Sequence, residues 1–258
     1  MGLFGNLFEK KICSICGGEI GLLGNRKLED GNMCKNCAAK LSPFFSDRRR
    51  STVADIQQQL DYREANKQEV ASFHTTRSFG TGTKVLIDED AGKFMVTSAR
   101  DLAEANPDVL TYSQVTGCDL DIVEDRNEEK YRDNDGNMVS YNPPRYTFSY
   151  DFQMIIRVNH PYFDTIKFKL NQSRVKLHSS STATAFHSPR PENSRDYREF
   201  EEMGNEIKNI LLNARQQVRD QAKAAAAPKL KMQCPYCGAT TTPDENGCCE
   251  YCGGALKQ

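Results

Sequence analysis

Eight cysteines stand in four C-x-x-C pairs, two pairs toward each end of a 258-residue chain, and this spacing constrains the fold more than any other feature. Cys13, Cys16, Cys34 and Cys37 lie within "CSICGGEIGLLGNRKLEDGNMCKNC"; Cys234, Cys237, Cys249 and Cys252 lie within "CPYCGATTTPDENGCCEYCGG". Zinc takes four soft ligands in a tetrahedron, with Zn–S near about 2.3 Å. Two residues between cysteines let one tight turn aim both sulfurs at the same ion. A glycine past the second cysteine lets backbone N–H groups turn inward, and Gly17, Gly238 and Gly253 occupy that place. Two separate four-cysteine sites are expected. A shared site would close a loop spanning most of the chain, costing about 2 kcal/mol more than the two short loops. Count decides more firmly, because each end already has four ligands.

Two further cysteines need placing. Cys249 gives the two-residue spacing to Cys252, whereas Cys248 would leave three residues between ligands, so Cys248 is expected to be a spare thiol. Cys118 stands alone in a β-patterned region and reads as a small core residue. Four thiolates fill a tetrahedral shell and leave no position for an activated water, so both zinc ions are expected to be structural. They would supply folding energy that modules this short cannot draw from a core. Redox work by a C-x-x-C pair expects one pair at a helix start after a strand in a thioredoxin-like context, and two clusters of four at finger spacing fit that poorly.

Composition bounds the rest. The mean hydropathy is −0.66, polar for a compact enzyme, and there is no tryptophan. The formal net charge of −1 gives no global attraction to nucleic acid or acidic lipid. Charge is uneven, however: residues 1–50 carry nine Lys/Arg against five Asp/Glu, and residues 108–136 carry three against nine. No apolar run approaches the roughly 18–20 residues of a membrane span. No secretory signal is visible, and ten cysteines in that context point to a cytoplasmic protein.

Along the chain, "MGLFGNLFEKK" is a short amphipathic lead with Leu3, Phe4, Leu7 and Phe8 at helical spacing. After the first cluster a helix is expected from about Ser51 to Phe73, with Val53, Ile56, Leu60, Tyr62, Ala65, Val70 and Phe73 as a partial apolar stripe. Residues 79–178 read as β. "TKVLIDEDAGKFMVTS" makes two strands around a turn, and "RYTFSYDFQMIIRVNH" is a long strand with Tyr146, Phe148, Tyr150, Phe152 and Met154 alternating. "DRNEEKYRDNDGNMVSYNPPR" reads as a polar hairpin connection, its "DNDGN" a turn rather than a calcium loop. "HSSSTATAFHSPRPENS" reads as a loop. From about Asn193 to Ala226 runs a long amphipathic helix, which Pro228 ends.

The four histidines lack ligand spacing, and no nucleophile elbow, Walker lysine or dinucleotide fingerprint is present. No catalytic or cofactor-binding residue is assigned, and the chain reads as a non-enzyme. The basic run "DRRRST", with Lys10, Lys11, Arg26, Lys27, Lys35 and Lys40, could contact phosphate or an acidic partner.

The first cluster, its Gly-Leu-Leu-Gly-Asn-Arg-Lys-Leu run and the "RRRSTVADIQQQLDYREANK" that follows resemble a bacterial zinc-finger family, domain of unknown function 4428, over residues 12–70. The resemblance implies a treble-clef or ribbon-type module with zinc on Cys13, Cys16, Cys34 and Cys37, and no known activity. The second cluster is similar to bacterial zinc-ribbon tails. "GKFMVTS", "VLTYSQVTGCDLD", paired strands and a closing helix look like a pleckstrin-homology-like domain, which implies a bent antiparallel β-barrel capped by one helix. The expectation is an α+β chain in four parts. These are a zinc module (1–46), a connecting helix (47–78), a PH-like body with its closing helix (79–226), and a linker with a zinc ribbon (227–258). Its expected role is that of an adaptor binding protein partners. Nucleic-acid binding through the basic module is the second reading, and membrane-surface recruitment through residues 1–11 and the PH-like body is the third.

Overall fold

A computed structural model describes residues 11–182, 185–187, 189–226, 231–244 and 247–256. The amphipathic lead at Leu3–Phe8 lies outside the described residues. The chain forms two compact units, Met1–Arg215 and Gln216–Gln258. It is mixed α+β.

The first unit begins with two small hairpins. Strands β1 (Lys11–Ile12) and β2 (Glu19–Ile20) pair antiparallel, as do β3 (Arg26–Lys27) and β4 (Asn32–Met33). Helix α1 (Lys35–Ala38) follows, N-capped by Cys34. Leu28 and Met33 are fully buried here beside Ile20 and Leu41, and Ile56 from the next helix joins the same cluster.

That helix, α2 (Val53–Ser72), starts at a capping box: Thr52 accepts from the Asp55 N–H while the Asp55 carboxylate takes the Thr52 N–H. The pair satisfies two donors that a helix start otherwise leaves bare. Its buried residues are Ile56, Gln59, Arg63, Asn66 and Val70. The expected apolar stripe is therefore only partly right, since Ala65 is exposed and three polar side chains face inward. Arg63 and Asn66 have partners from distant chain, whereas the buried Gln59 amide has no hydrogen-bond partner among the described residues. Arg63 Nη1 lies 2.8 Å from Asp108 Oδ1 and Arg63 Nε donates to the Lys40 carbonyl, while Ser42 Oγ donates to Asp108 Oδ2 at 2.7 Å. Asn66 donates to Asn106 and to the Pro107 carbonyl, and accepts from the Val109 N–H. Burial of a charge demands such pairing. An aromatic group completes the junction: Phe44 packs on Phe163, and His160 stacks on Phe163 and meets Tyr62 edge-on.

The body has two antiparallel sheets. In the first, β5 (Arg77–Phe79), β6 (Lys84–Asp88), β7 (Lys93–Thr97) and β8 (Val109–Thr111) form a meander in sequence order. The one-turn helix α3 (Leu102–Ala105) lies in the β7–β8 connection. In the second sheet, β10 (Met138–Val158) pairs along one edge with β9 (Val115–Arg132) and along the other with β11 (Thr165–Lys169) and β12 (Val175–His178). No strand pairing joins the two sheets among the described residues, so a hydrogen-bonded closed barrel is not shown. They share a core instead. Val85, Ile87, Phe94 and Leu110 from one meet Phe152, Met154, Ile156 and Ile166 from the other, all fully buried. Alternation along β10 explains this face, since i and i+2 point the same way.

Two segments differ from expectation. The supposed polar connection is strand: β9 and β10 continue outward as a hairpin arm to a turn at Asp133–Asn137, where Asp133 Oδ1 accepts the N–H groups of Asp135 and Asn137. The supposed loop after His178 holds two short paired strands, β13 (Ser180–Thr182) and β14 (Ala185–His187). Helix α4 (Arg195–Ala226) then lays Ile207 and Leu211 into the shared core. Gly204 lets it approach β9 closely, since a Cβ there would sit 2.7 Å from Leu120 Cδ1.

The second unit holds β15 (Met232–Gln233) and β16 (Thr240–Thr241), an antiparallel pair, with isolated bridges Pro243–Cys249 and Cys248–Ala255. Among the described residues its buried apolar cluster is Cys234, Cys249 and Leu256, with Met232 against it.

Candidate metal centres

In the first cluster, Cys13 and Cys16 sit on the turn between β1 and β2, and Cys34 and Cys37 sit at the start of α1. Cys13 N–H donates to the Gly18 carbonyl and Gly17 N–H to the Cys13 carbonyl. Gly17 has φ +70°, a conformation in which an L side chain is strained, so the glycine is what allows the turn. Cys34 as N-cap receives the Cys37 N–H on its sulfur at 3.4 Å, and Cys34 N–H points to Cys13 Sγ at 3.3 Å.

The second cluster repeats the first turn twice. Cys234 N–H donates to Ala239 and Gly238 N–H to Cys234; Cys249 N–H donates to Gly254 and Gly253 N–H to Cys249. Gly238 and Gly253 have φ +72° and +70°. The Tyr236 N–H points to Cys234 Sγ at 3.4 Å.

The sulfurs converge. Cys13 Sγ lies 3.9 Å from Cys37 Sγ and Cys16 Sγ 3.9 Å from Cys34 Sγ. In the second cluster Cys234–Cys252 is 3.6 Å and Cys237–Cys249 is 3.7 Å. A tetrahedron with metal–sulfur bonds of about 2.3 Å has sulfur–sulfur edges of about 3.8 Å, so both cages fit zinc. A disulfide needs about 2.05 Å, and all ten cysteines are unbridged. Each set of four is a group able to hold a metal ion. Cys248 stands outside its group, its backbone in an antiparallel β-bridge with Ala255 and its N–H donating to Asp244 Oδ1. Cys118 is buried on β9, and burial pushes its thiol up to about 12.

Electrostatics inside the cages fit a cation. Burial raises the Cys13 thiol, but N–H donors from Cys34, Cys16 and Ile15 outweigh it and bring it down to about 6. Burial and the neighbouring sulfurs push Cys37 the other way. Crowded sulfurs cannot all ionise by themselves, whereas a divalent ion at the centre removes the repulsion.

Residues 11–59 match the family described as Domain of unknown function (DUF4428), which takes in the first cluster and the start of α2. No curated protein and no solved structure matches the chain.

Elsewhere, an open cleft of about 610 Å³ borders β6 and β7, with Lys84, Thr97, Arg100 and Gln172 in its wall. His178 pairs with Glu129 at 2.8 Å, and burial lowers His160. No helix among the described residues is long and apolar enough to cross a membrane. Sequence reasoning missed two features of the first unit. One is the buried Arg63–Asp108 pair. The other is the tip of the β2–β3 loop, where Leu22 is 93% exposed and Leu23 91%; its signal was present, two adjacent leucines flanked on both sides by glycine.

Proposed function

We propose that the protein is a non-enzymatic zinc-binding interaction protein of the cytoplasm, with one structural Zn²⁺ on Cys13, Cys16, Cys34 and Cys37 and another on Cys234, Cys237, Cys249 and Cys252. The observation that carries this reading is the pair of four-sulfur cages at tetrahedral edge lengths. Four thiolates complete the shell, so the metal holds shape and offers no position for substrate. A turn pair plus a helix-start pair supports a treble-clef module at residues 11–41, and two turn pairs support a zinc ribbon at the other end. Two facing sheets with α4 laid into their core support a PH-like body. On this reading the chain is an adaptor whose zinc modules and β-body present preformed surfaces to protein partners.

The test is metal analysis of protein purified under reducing conditions, combined with affinity capture from the native host with and without chelator. Two equivalents of zinc per chain are expected, one in Cys16→Ser and in Cys237→Ser, and two in Cys248→Ser. Capture of a defined partner is expected, with chelator weakening it. Far less than two equivalents in the unaltered protein overturns the metal assignment; zinc-replete protein that captures nothing overturns the adaptor role.

A further inference from the structure

The β2–β3 loop of the first module, Gly21–Gly24, is closed by a Gly24 N–H to Gly21 carbonyl bond of 2.9 Å. That turn pins Leu22 and Leu23 outward, almost wholly in water. Two adjacent leucines held so are unlike scattered surface apolar residues, which are common and need no account. Cations surround them. Arg26 reaches back to the tip, with Nη1 3.3 Å from the Leu23 carbonyl. Lys35 lines the shallow groove beneath the loop, facing one acid, Glu19. Next to β3 lies the 3₁₀ turn Arg48–Arg50. Arg48 is close enough to Arg26 and Arg49 that burial, and then those two guanidinium charges, hold it below the ordinary arginine range. Its Nε is buried without a partner. Among the described residues Arg26, Lys27, Lys35, Arg48 and Arg49 have no carboxylate within ion-pair distance, while Asp47 is taken by Arg50.

We infer that this loop inserts Leu22 and Leu23 into the surface of an anionic phospholipid bilayer, while Arg26, Lys27, Arg48 and Arg49 bind the headgroup phosphates. A bilayer supplies both halves of the complement at once: hydrocarbon for the tip and anionic oxygens for the collar of charge behind it. Nucleic acid would meet the charges but leave the leucines in water, since they offer no ring for base stacking. The inference goes beyond the zinc-supported adaptor role. It needs the folded module but no protein partner, so the two fail separately. Each leucine buried is worth at least about tenfold in partitioning, and each cation about fivefold.

The chain has no tryptophan, so Leu22→Trp places a unique fluorophore at the tip. The zinc-loaded full chain is mixed with phosphatidylcholine vesicles, with or without phosphatidylglycerol. Sedimentation with the anionic vesicles alone is expected, together with a blue shift of the introduced indole. Leu22→Ser with Leu23→Ser should weaken sedimentation at least about a hundredfold with zinc content unchanged, and Arg48→Gln with Arg49→Gln about twenty-five-fold. No sedimentation with anionic vesicles overturns the inference. Sedimentation with an unshifted indole also overturns it, because binding then lies elsewhere. A blue shift that grows with protein concentration without lipid overturns it in favour of self-association, and sedimentation undiminished by the serine pair does so too.

Discussion

Replacing Arg63 by Met should be among the most damaging single changes in the first unit. The Asp108 side chain is wholly buried and that of Arg63 is 8% exposed. Asp108 has one oxygen on Arg63 Nη1 at 2.8 Å and the other on Ser42 Oγ at 2.7 Å. Methionine fills the volume of the arginine stem but leaves a buried carboxylate with a single neutral donor. Breaking a buried pair in this way costs about 3–5 kcal/mol. With a urea slope of about 2–3 kcal/mol per molar, the midpoint should fall by about 1–2.5 M. The assay is urea unfolding of zinc-loaded protein, followed by near-ultraviolet circular dichroism of the tyrosines. The companion measurement is Arg63→Met with Asp108→Leu, which removes both charges and should recover most of the loss, because the penalty belongs to the unpaired carboxylate. An Arg63→Met cost below about 1 kcal/mol, or a double variant costing the sum of its parts, refutes the reasoning. The pair matters because Lys40 and Ser42 follow closely on Cys37, so it ties the exit of the first cysteine cluster to the strand after Asp108.

Gly80 has φ +102° and would place a Cβ against the Thr83 carbonyl, so Gly80→Ala should cost about 2–3 kcal/mol in the same unfolding assay. Asp88 is held below the usual carboxylate range by the N–H groups of His74 and Ala91, and Asp151 by Lys169 and Arg174, which outweigh its burial. Depressed carboxyls stabilise above their unfolded pKa near about 4 and lose that contribution as pH falls through the folded value; stability should therefore drop on acidification below about pH 4, less steeply in Asp88→Asn. Chelator should erase the amide dispersion of residues 231–256 while Leu28 and Met33 keep part of theirs, read by two-dimensional NMR; equal collapse at both ends contradicts the difference in core.

What was legible in the sequence was local chemistry. The ligand spacing of each cysteine pair is fixed by one turn, and the alternation of Phe148, Tyr150, Phe152 and Met154 by one strand. What was hidden depends on distant partners. Gln59, Arg63 and Asn66 look like a solvated face, because nothing near them in sequence shows that Asp108 and Asn106 will receive two of them. The outer arm of β9 and β10 escaped for another reason. Glu128 and Lys130 lie beyond the core, so no apolar alternation marks them as strand, and only pairing with β10 makes them one. Barrel closure was not legible for a like reason: apolar periodicity shows which strand faces are covered, not whether two sheet edges hydrogen-bond.

The two metal centres are not equivalent supports. On the proposed zinc assignment, two of the three buried apolar residues described in the second unit, Cys234 and Cys249, are themselves ligands, and Leu256 is the third. Removing the ion there removes the reason for the fold, since so small a core cannot offset the conformational entropy of ordering the segment. In the first unit Leu28, Met33 and Ile56 are fully buried beside the ligands, and α2 carries the Arg63–Asp108 tie to the body. On the same assignment the first ion is less the source of folding than the restraint on local geometry. It fixes the β1–β2 turn against the start of α1, and β2 and Lys35 are the two sides of the groove under Leu22 and Leu23. The loop's outward pose depends on that restraint, because two leucines released from it would gain by folding back onto Ile20 and out of water. On the proposed assignment, then, the metal at one end makes a module exist, and at the other it keeps an apolar tip exposed at the cost of its own hydration.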